Sequence, residues 1–300
     1  MKTKTKYIPR FAIIAAIFIF SITSCSPQHH YTRGCENNDF PLEKIYNSTV
    51  FVEGIVHNKE TKKKYLSYTG SGGVVWQGED STVVMTAAHV CDISNIVGKI
   101  RSEEENPDNI QHAMKVMDRK DRAYPAISYV SAIEFDACLI HISKMTGAPA
   151  VSLSKENPKV GDIIFNVASP LGLYSSDGSP MFTGYYSGDF KFKDVSEGKM
   201  SLFSLPAAPG SSGSLLLNKN MEIVGVVSAV YARFHHLTIS PTIGDLRDLM
   251  TGNAKVVVKH FINFDPRIVV EEKVFLWGKE MPEWDIGGTI TDPKNLEIEK

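Results

Sequence analysis

The sequence predicts an all-β protein. Three observations carry that prediction: many short β-branched runs, turn residues between them, and few stretches of helical period. From residue 48 onward "STVFVEGIV" alternates in part, and "GGVVWQ" and "STVVMTAA" are separated only by "GED". "HAMKVMDR", "YPAISYVSAIEF" and "ACLIHI" follow. Beyond "KENPKVGD" a second series begins with "IIFNVAS" and "MFTGYYSG", and continues with "KMSLFSL", "SLLLN" and "EIVGVVSAV". Such a texture suits barrels or sandwiches. One helix is expected near the end, in "SPTIGDLRDLM", with a Ser/Pro start and Ile243, Leu246 and Met250 on one face. The chain has 300 residues, 43% of them hydrophobic, enough for one large domain or two small ones with their own cores. No internal repeat is present.

The N-terminus has the layout of a targeting segment. Lys2, Lys4, Lys6 and Arg10 precede the apolar run "FAIIAAIFIFSI", which is short for a spanning helix and suited to a signal-peptide core. "ITSC" at 22–25 resembles the lipobox of bacterial lipoproteins. That resemblance implies a signal peptide over 1–24, cleavage before Cys25 and a lipid on its thiol. The alternatives are an uncleaved anchor and a plain secretory signal. All three put the body outside the cytoplasm, on the periplasmic or extracellular face of a membrane. Cleavage would take the formal charge from −2 to −6, because four positive residues leave and no acidic ones. With no basic block in the body, nucleic acid is not expected as a partner. Residues 25–47 carry Pro27, Pro41 and Asn37-Asn38 and are assigned as a tether.

Three segments set polar residues among apolar ones. "VVMTAAHVC" places His89 directly after a strand and two alanines. "IEFDACLIHI" places Asp136 inside an apolar strand, where a buried carboxylate needs donors and a histidine N–H would serve. "PAAPGSSGSLLLN" turns abruptly into a strand, with Ser212 flanked by glycines at 210 and 213. Nucleophilic acyl transfer needs this set. A serine needs a base, the base needs an orienting carboxylate, and the oxyanion needs fixed N–H donors. Gly210 can turn its N–H inward, which makes Gly210 and Ser212 the expected oxyanion donors.

The order His89, Asp136, Ser212, with "TAAH", "FDACLI" and "GSSGS", resembles the chymotrypsin-like serine peptidases. "VGDIIFNVASPLGL" and "EIVGVVSAV" resemble the second barrel of their bacterial Deg-type, high-temperature-requirement branch. The resemblance covers about 48–250 and implies two six-stranded antiparallel β-barrels, at about 48–145 and 155–240, with the catalytic residues between them. His89 would be the general base, Asp136 its orienter and Ser212 the nucleophile of a serine endopeptidase. Neither cofactor nor metal is implied. The α/β-hydrolases, with chain order Ser…Asp…His and alternating helices, fit poorly.

The resemblance also implies a specificity pocket at Pro206 and the strand holding Val227, Ser228 and Val230. Pro206 stands where an aspartate would select Arg or Lys. Val227 replaces the histidine of glutamate-specific relatives, and Val230 narrows the site. The expected substrate is a polypeptide with a small or medium apolar residue before the cut, and Ser228 would hydrogen-bond its backbone. If His89 and Asp136 touch, Cys91 and Cys138, each two residues further on, are expected to form a disulfide. The alternatives are two buried thiols, or pairing with Cys35.

Two departures matter. Ser214 occupies the place of the family's second glycine, and Ser211 replaces the aspartate that a new N-terminus would pair with. The first motivates another reading, a catalytically inactive protease-like module that binds peptides at the cell envelope. An esterase with the same three residues is the third. Residues 251–300 are too few for the PDZ domain that Deg-type enzymes carry, so none is expected. They form a C-terminal extension whose apolar faces would pack on the second barrel.

Overall fold

In the computed structural model the described residues are 42–191, 198–231 and 236–261, with the backbone alone of 275–276 and 279–280. The signal segment 1–24, Cys25, Cys35 and His29-His30 lie outside them.

The first unit is a closed barrel of six antiparallel strands: β1 (Thr49–Asn58), β2 (Lys64–Gln77), β3 (Ser81–Thr86), β4 (Ile110–Met117), β5 (Ala123–Ala132) and β6 (Ala137–Ser143). Pairing runs β5-β4-β1-β2-β3-β6, and the β5–β6 ladder closes the ring. The alternation read in "STVFVEGIV" is the burial pattern of β1, whose Val50, Val52 and Val56 are fully enclosed. Closure removes the free edges that an open sheet must protect. One helix of this unit, Ser94–Glu103, has no counterpart in the sequence reading. It covers one side of the barrel, where Ile93 and Val97 pack with Val56 and Ile110.

The second unit comprises β7 (Ile163–Val167), β8 (Met181–Lys191), β9 (Lys199–Phe203), β10 (Leu215–Leu217), β11 (Ile223–Val226), β12 (Ala229–Val230) and β13 (Thr238–Pro241). Their order is β11-β10-β7-β8-β9-β13-β12. The expected β architecture of two units therefore holds, but the second is a curled seven-stranded sheet where a six-stranded barrel was expected. The end strand β11 meets β13, next to the other end, through a side chain: Ser240 Oγ on β13 accepts the Val226 N–H of β11 at 2.8 Å.

The expected helix is present at Ile243–Thr251, with Ile243, Leu246, Leu249 and Met250 buried. Its N-cap is Thr242, because Ser240 and Pro241 belong to β13. Thr242 and Asp245 cap each other's backbone N–H groups. The helix packs into a core shared by both units, built from Val83, Met85 and Leu139 of the barrel and Leu215, Leu217 and Ile223 of the sheet.

Both flanks of the predicted domain need correction. Residues 42–47, assigned to the tether, belong to a short helix, Leu42–Ser48, whose Ile45 is buried in the shared core. Ser48 and Thr49 hydroxyls both donate to the Ile45 carbonyl and end it. In the C-terminal extension, β14 (Val257–His260) pairs with residues 128–131 of β5, so it joins the first unit where the second was expected. Phe261 follows it into the barrel core, with ring centroids 5.3 Å from His112 and 5.8 Å from Tyr129.

His112 accepts or donates only through Nε2, 2.7 Å from the Tyr68 hydroxyl, and its Nδ1 is buried without a partner. Burial first, then Lys259, pushes its pKa from 6.5 down to about 4, with Asp92 opposing. Between those values the unfolded chain binds a proton that the folded chain refuses. Stability is therefore full above about pH 6.5 and falls by up to ~3 kcal/mol as pH drops toward 4. Urea unfolding across this range should show the slope, and His112→Gln should flatten it.

Candidate active site

His89 sits on a single helical turn, Ala88–Cys91, directly after β3. Ala87 and Ala88 are buried, which draws the backbone close to the barrel while the imidazole remains about half exposed, at 49%. Asp136 is not inside a strand, as its apolar neighbours suggested. It ends the 3-10 turn Ile133–Phe135 in the left-handed conformation, φ 58° and ψ 50°, one residue before β6. An aspartate tolerates that region better than most side chains. The bend aims the carboxylate at the His89 turn.

Three donors converge on Asp136. The His89 backbone N–H reaches Oδ1 at 2.9 Å, and His89 Nδ1 lies 3.0 and 2.9 Å from the two oxygens. The Ser228 hydroxyl donates to Oδ2. This third donor was missed, because the sequence assigned Ser228 only to substrate. With Nδ1–H engaged, neutral His89 keeps a lone pair on Nε2, on the far side of the ring. The Cys91–Cys138 disulfide forms as expected, and Cys138 faces Thr86 in the β3–β6 register. It joins the chain two residues past His89 to the chain two residues past Asp136.

Ser212 lies on the turn before β10. The turn is docked against the barrel by close backbone contact. The Ser71 N–H of β2 donates to the Ser212 carbonyl at 2.7 Å. A Cβ on Gly213 would fall 1.9 Å from Thr86 Oγ1 and 2.2 Å from the Ser71 carbonyl, and φ there is +88°. Only glycine fits. Gly70 lies between Val90 and the Ser212 carbonyl, which places the serine beside the His89 turn. Its other side is tied to the Asp136 donor: Gly213 N–H binds the Val227 carbonyl at 2.7 Å, and Ser228 follows. Thus His89, Asp136 and Ser212 are brought to one junction. Neither Ser212 Oγ nor His89 Nε2 has a hydrogen-bond partner among the described residues.

Gly210 has φ +94°. The Pro209 carbonyl accepts the Leu171 N–H at 2.6 Å, and in a trans peptide this turns the Gly210 N–H the opposite way. The N–H groups of Gly210 and Ser212 are bound to no described backbone acceptor, whereas those of Ser211, Gly213 and Ser214 all are.

The departure at Ser214 has a local explanation. Its hydroxyl is fully buried, donates to the Ser211 carbonyl at 2.8 Å and accepts from Asn166 Nδ2 at 2.9 Å. Asn166 also donates to the Leu215 carbonyl. The side chain is thus absorbed into the second sheet. Ser211 likewise turns inward and accepts the Ala208 N–H.

The residues assigned to substrate fare unevenly. Val227 is only 3% exposed and packs in the sheet core with Phe203, Leu205 and Leu216, so it is withdrawn from any open surface. Val230 is partly buried against the same core, and Pro206 is half-buried beside it in sequence. The Ser228 N–H is spent on the Ile239 carbonyl. His141 is buried in β6 with no hydrogen-bond partner for Nε2 among the described residues. Among the described residues no cluster of three or more His, Cys, Asp or Glu side chains could hold a metal ion.

A closed barrel and a curled sheet, with the candidate residues at their junction, have the architecture of a chymotrypsin-like serine peptidase. Residues 70–226 match the trypsin-like peptidase domain, and the chain belongs to that family. Among solved structures it is similar to the Rv3671c protease of M. tuberculosis in its active form, with TM-score 0.52 and 16% identity over 70% of this chain and 82% of that one. It is also similar to AlgW, an HtrA-type protease solved with a tripeptide, with TM-score 0.53 and 14% identity over 72% of this chain and 64% of that one. No curated protein sequence matches the chain.

Asn166→Ala should remove the donor to both Ser214 Oγ and the Leu215 carbonyl. The expected loss is about 1–3 kcal/mol, read as a lower urea midpoint.

Proposed function

We propose that this chain is a serine endopeptidase that cuts extended polypeptide through Ser212, His89 and Asp136. The observation that carries the reading is the three-donor clasp on Asp136. It fixes the His89 tautomer beside a serine whose turn presents two unspent N–H groups. Ser212 Oγ attacks the scissile carbonyl while His89 Nε2 takes its proton. Gly210 and Ser212 N–H groups hold the oxyanion. The imidazolium gives its proton to the leaving amine, and water, deprotonated by the same nitrogen, releases the acyl group. The Asp136 carboxylate stabilises the transient imidazolium throughout.

The substrate lies along β12. Among the described residues this strand is the end of its sheet and pairs only with β13, which leaves its outer edge to a further strand. The Ser228 carbonyl, next to that edge, is the group left to bind substrate once its N–H and hydroxyl are spent. Pro206 supplies no charge to attract Arg or Lys, and Val230 narrows the site, which favours small or medium apolar residues before the cut. The inactive-module reading rested on Ser214, whose side chain is accommodated away from Ser212. The disulfide supports folding in an oxidising compartment, in keeping with export and a lipid on Cys25 that would tether the enzyme to a membrane.

A fluorophosphonate should label Ser212, and Ser212→Ala and His89→Ala should abolish labelling. Asp136→Asn should slow peptide hydrolysis by roughly 10⁴-fold. Labelled peptide mapping and turnover of a peptide library read these outcomes. An unlabelled, folded wild type would sink the proposal, and cleavage after Lys or Arg would sink the specificity.

A further inference from the structure

Ser71 lies on β2 in the first barrel and is fully buried. Its four polar contacts all serve the junction. The backbone N–H holds the Ser212 carbonyl, and the backbone carbonyl accepts the Thr86 hydroxyl at 2.7 Å. The hydroxyl donates to the Gly210 carbonyl at 2.8 Å and accepts the Ser169 N–H at 3.0 Å. Both partners of the hydroxyl belong to the second unit and flank the same spot. Ser169 begins the turn whose Leu171 N–H holds the Pro209 carbonyl, and the Ser169 carbonyl lies 2.5 Å from where a Gly210 Cβ would be.

Resting on the serine-peptidase reading, we propose that the Ser71 hydroxyl is a positioning residue that locks the oxyanion donor of Gly210 from across the barrel junction. The two peptide units around Gly210 are each pinned by their carbonyl, one by Leu171 N–H and the other by Ser71 Oγ–H. A rigid trans peptide with its oxygen pinned has its N–H direction set as well. Leu171 thus aims the Gly210 N–H, and Ser71 holds the following peptide so that Gly210 keeps φ near +94°. The acceptor side of the same hydroxyl fixes the 169–172 turn that carries Leu171. Removing the hydroxyl frees both pins together. Oxyanion donors contribute only when fixed before the charge develops, so the loss falls on turnover more than on substrate binding.

The test compares wild type, Ser71→Ala, Ser71→Thr, Ser212→Ala and Thr82→Val for kcat and KM on a peptide substrate and for thermal midpoint. Thr82, a buried β3 residue whose hydroxyl accepts the Met145 N–H at 3.0 Å, controls for losing a buried hydrogen bond elsewhere. Ser71→Ala is expected to lower kcat about 10²-fold with KM within about twofold. Ser71→Thr, which keeps the hydroxyl, should recover most of the rate. Thr82→Val should lower the midpoint without touching kcat. If Ser71→Ala does not accumulate folded, Ser71→Cys replaces it, and its weaker donor should give an intermediate kcat. The proposal is overturned if the Ala variant (or Cys in its place) turns over like wild type, if Thr is as slow as Ala, or if Thr82→Val loses as much rate. A folded wild type that neither cleaves peptides nor differs from Ser212→Ala would overturn the peptidase reading itself, a result distinct from these.

Discussion

The arrangement depends on how closely two β units can approach. Gly213 sits against the Thr86 hydroxyl and the Ser71 carbonyl at a distance that leaves no room for a side-chain carbon. That approach brings the serine turn within reach of the barrel backbone, where Ser71 N–H takes the Ser212 carbonyl. Once the turn is seated, its Gly213 N–H holds the Val227 carbonyl, and the next residue, Ser228, completes the clasp on Asp136 with its hydroxyl. One short segment, 227–228, therefore links the Ser212 turn, the Asp136 carboxylate and β12. Beneath it the shared apolar core, with side chains from both units and two helices, holds the halves in register.

Electrostatics at the site are arranged without a buried ion pair. Asp136 is about a quarter exposed and His89 about half exposed. Full burial would charge a large desolvation cost to both partners. Instead the carboxylate is held by three hydrogen bonds whose donors are fixed by backbone, by the disulfide-braced turn and by the second sheet. Geometry, more than depth, sets the pair.

Much of this was legible in the sequence. The meeting of His89 with Asp136 was readable because a carboxylate among apolar neighbours needs a donor, and the short β-branched runs mark strands whatever their partners. The cysteine pair was readable because each member follows a candidate residue by the same two positions. The conformation of Asp136 was not, since its apolar neighbours look the same whether it lies in a strand or at a left-handed bend before one. Ser228 was assigned by position along the substrate strand, and nothing local revealed that its hydroxyl crosses to the other unit. Ser214 looked like a defect because its compensation, Asn166, lies 48 residues upstream. The helix at 42–48 carries only Leu42, Ile45 and Tyr46 as an apolar signal, too little to separate it from the polar stretch before it. For β14, the apolar face of "KVVVKHF" announced packing but not its partner, because pairing is a property of the whole sheet.

The placement of β14 also bears on the order in which the molecule can be assembled. Its partner, β5, is complete by residue 132, yet the strand that covers residues 128–131 of that edge is not made until 257–260. During synthesis the first barrel must therefore wait, with part of β5 open and with the site of Phe261 unfilled, until the entire second sheet has emerged. An open strand edge is a template for foreign strands. The last pairing of the domain thus acts as a seal on the first unit, and a chain released before residue 257 would keep the exposed edge it was meant to hide.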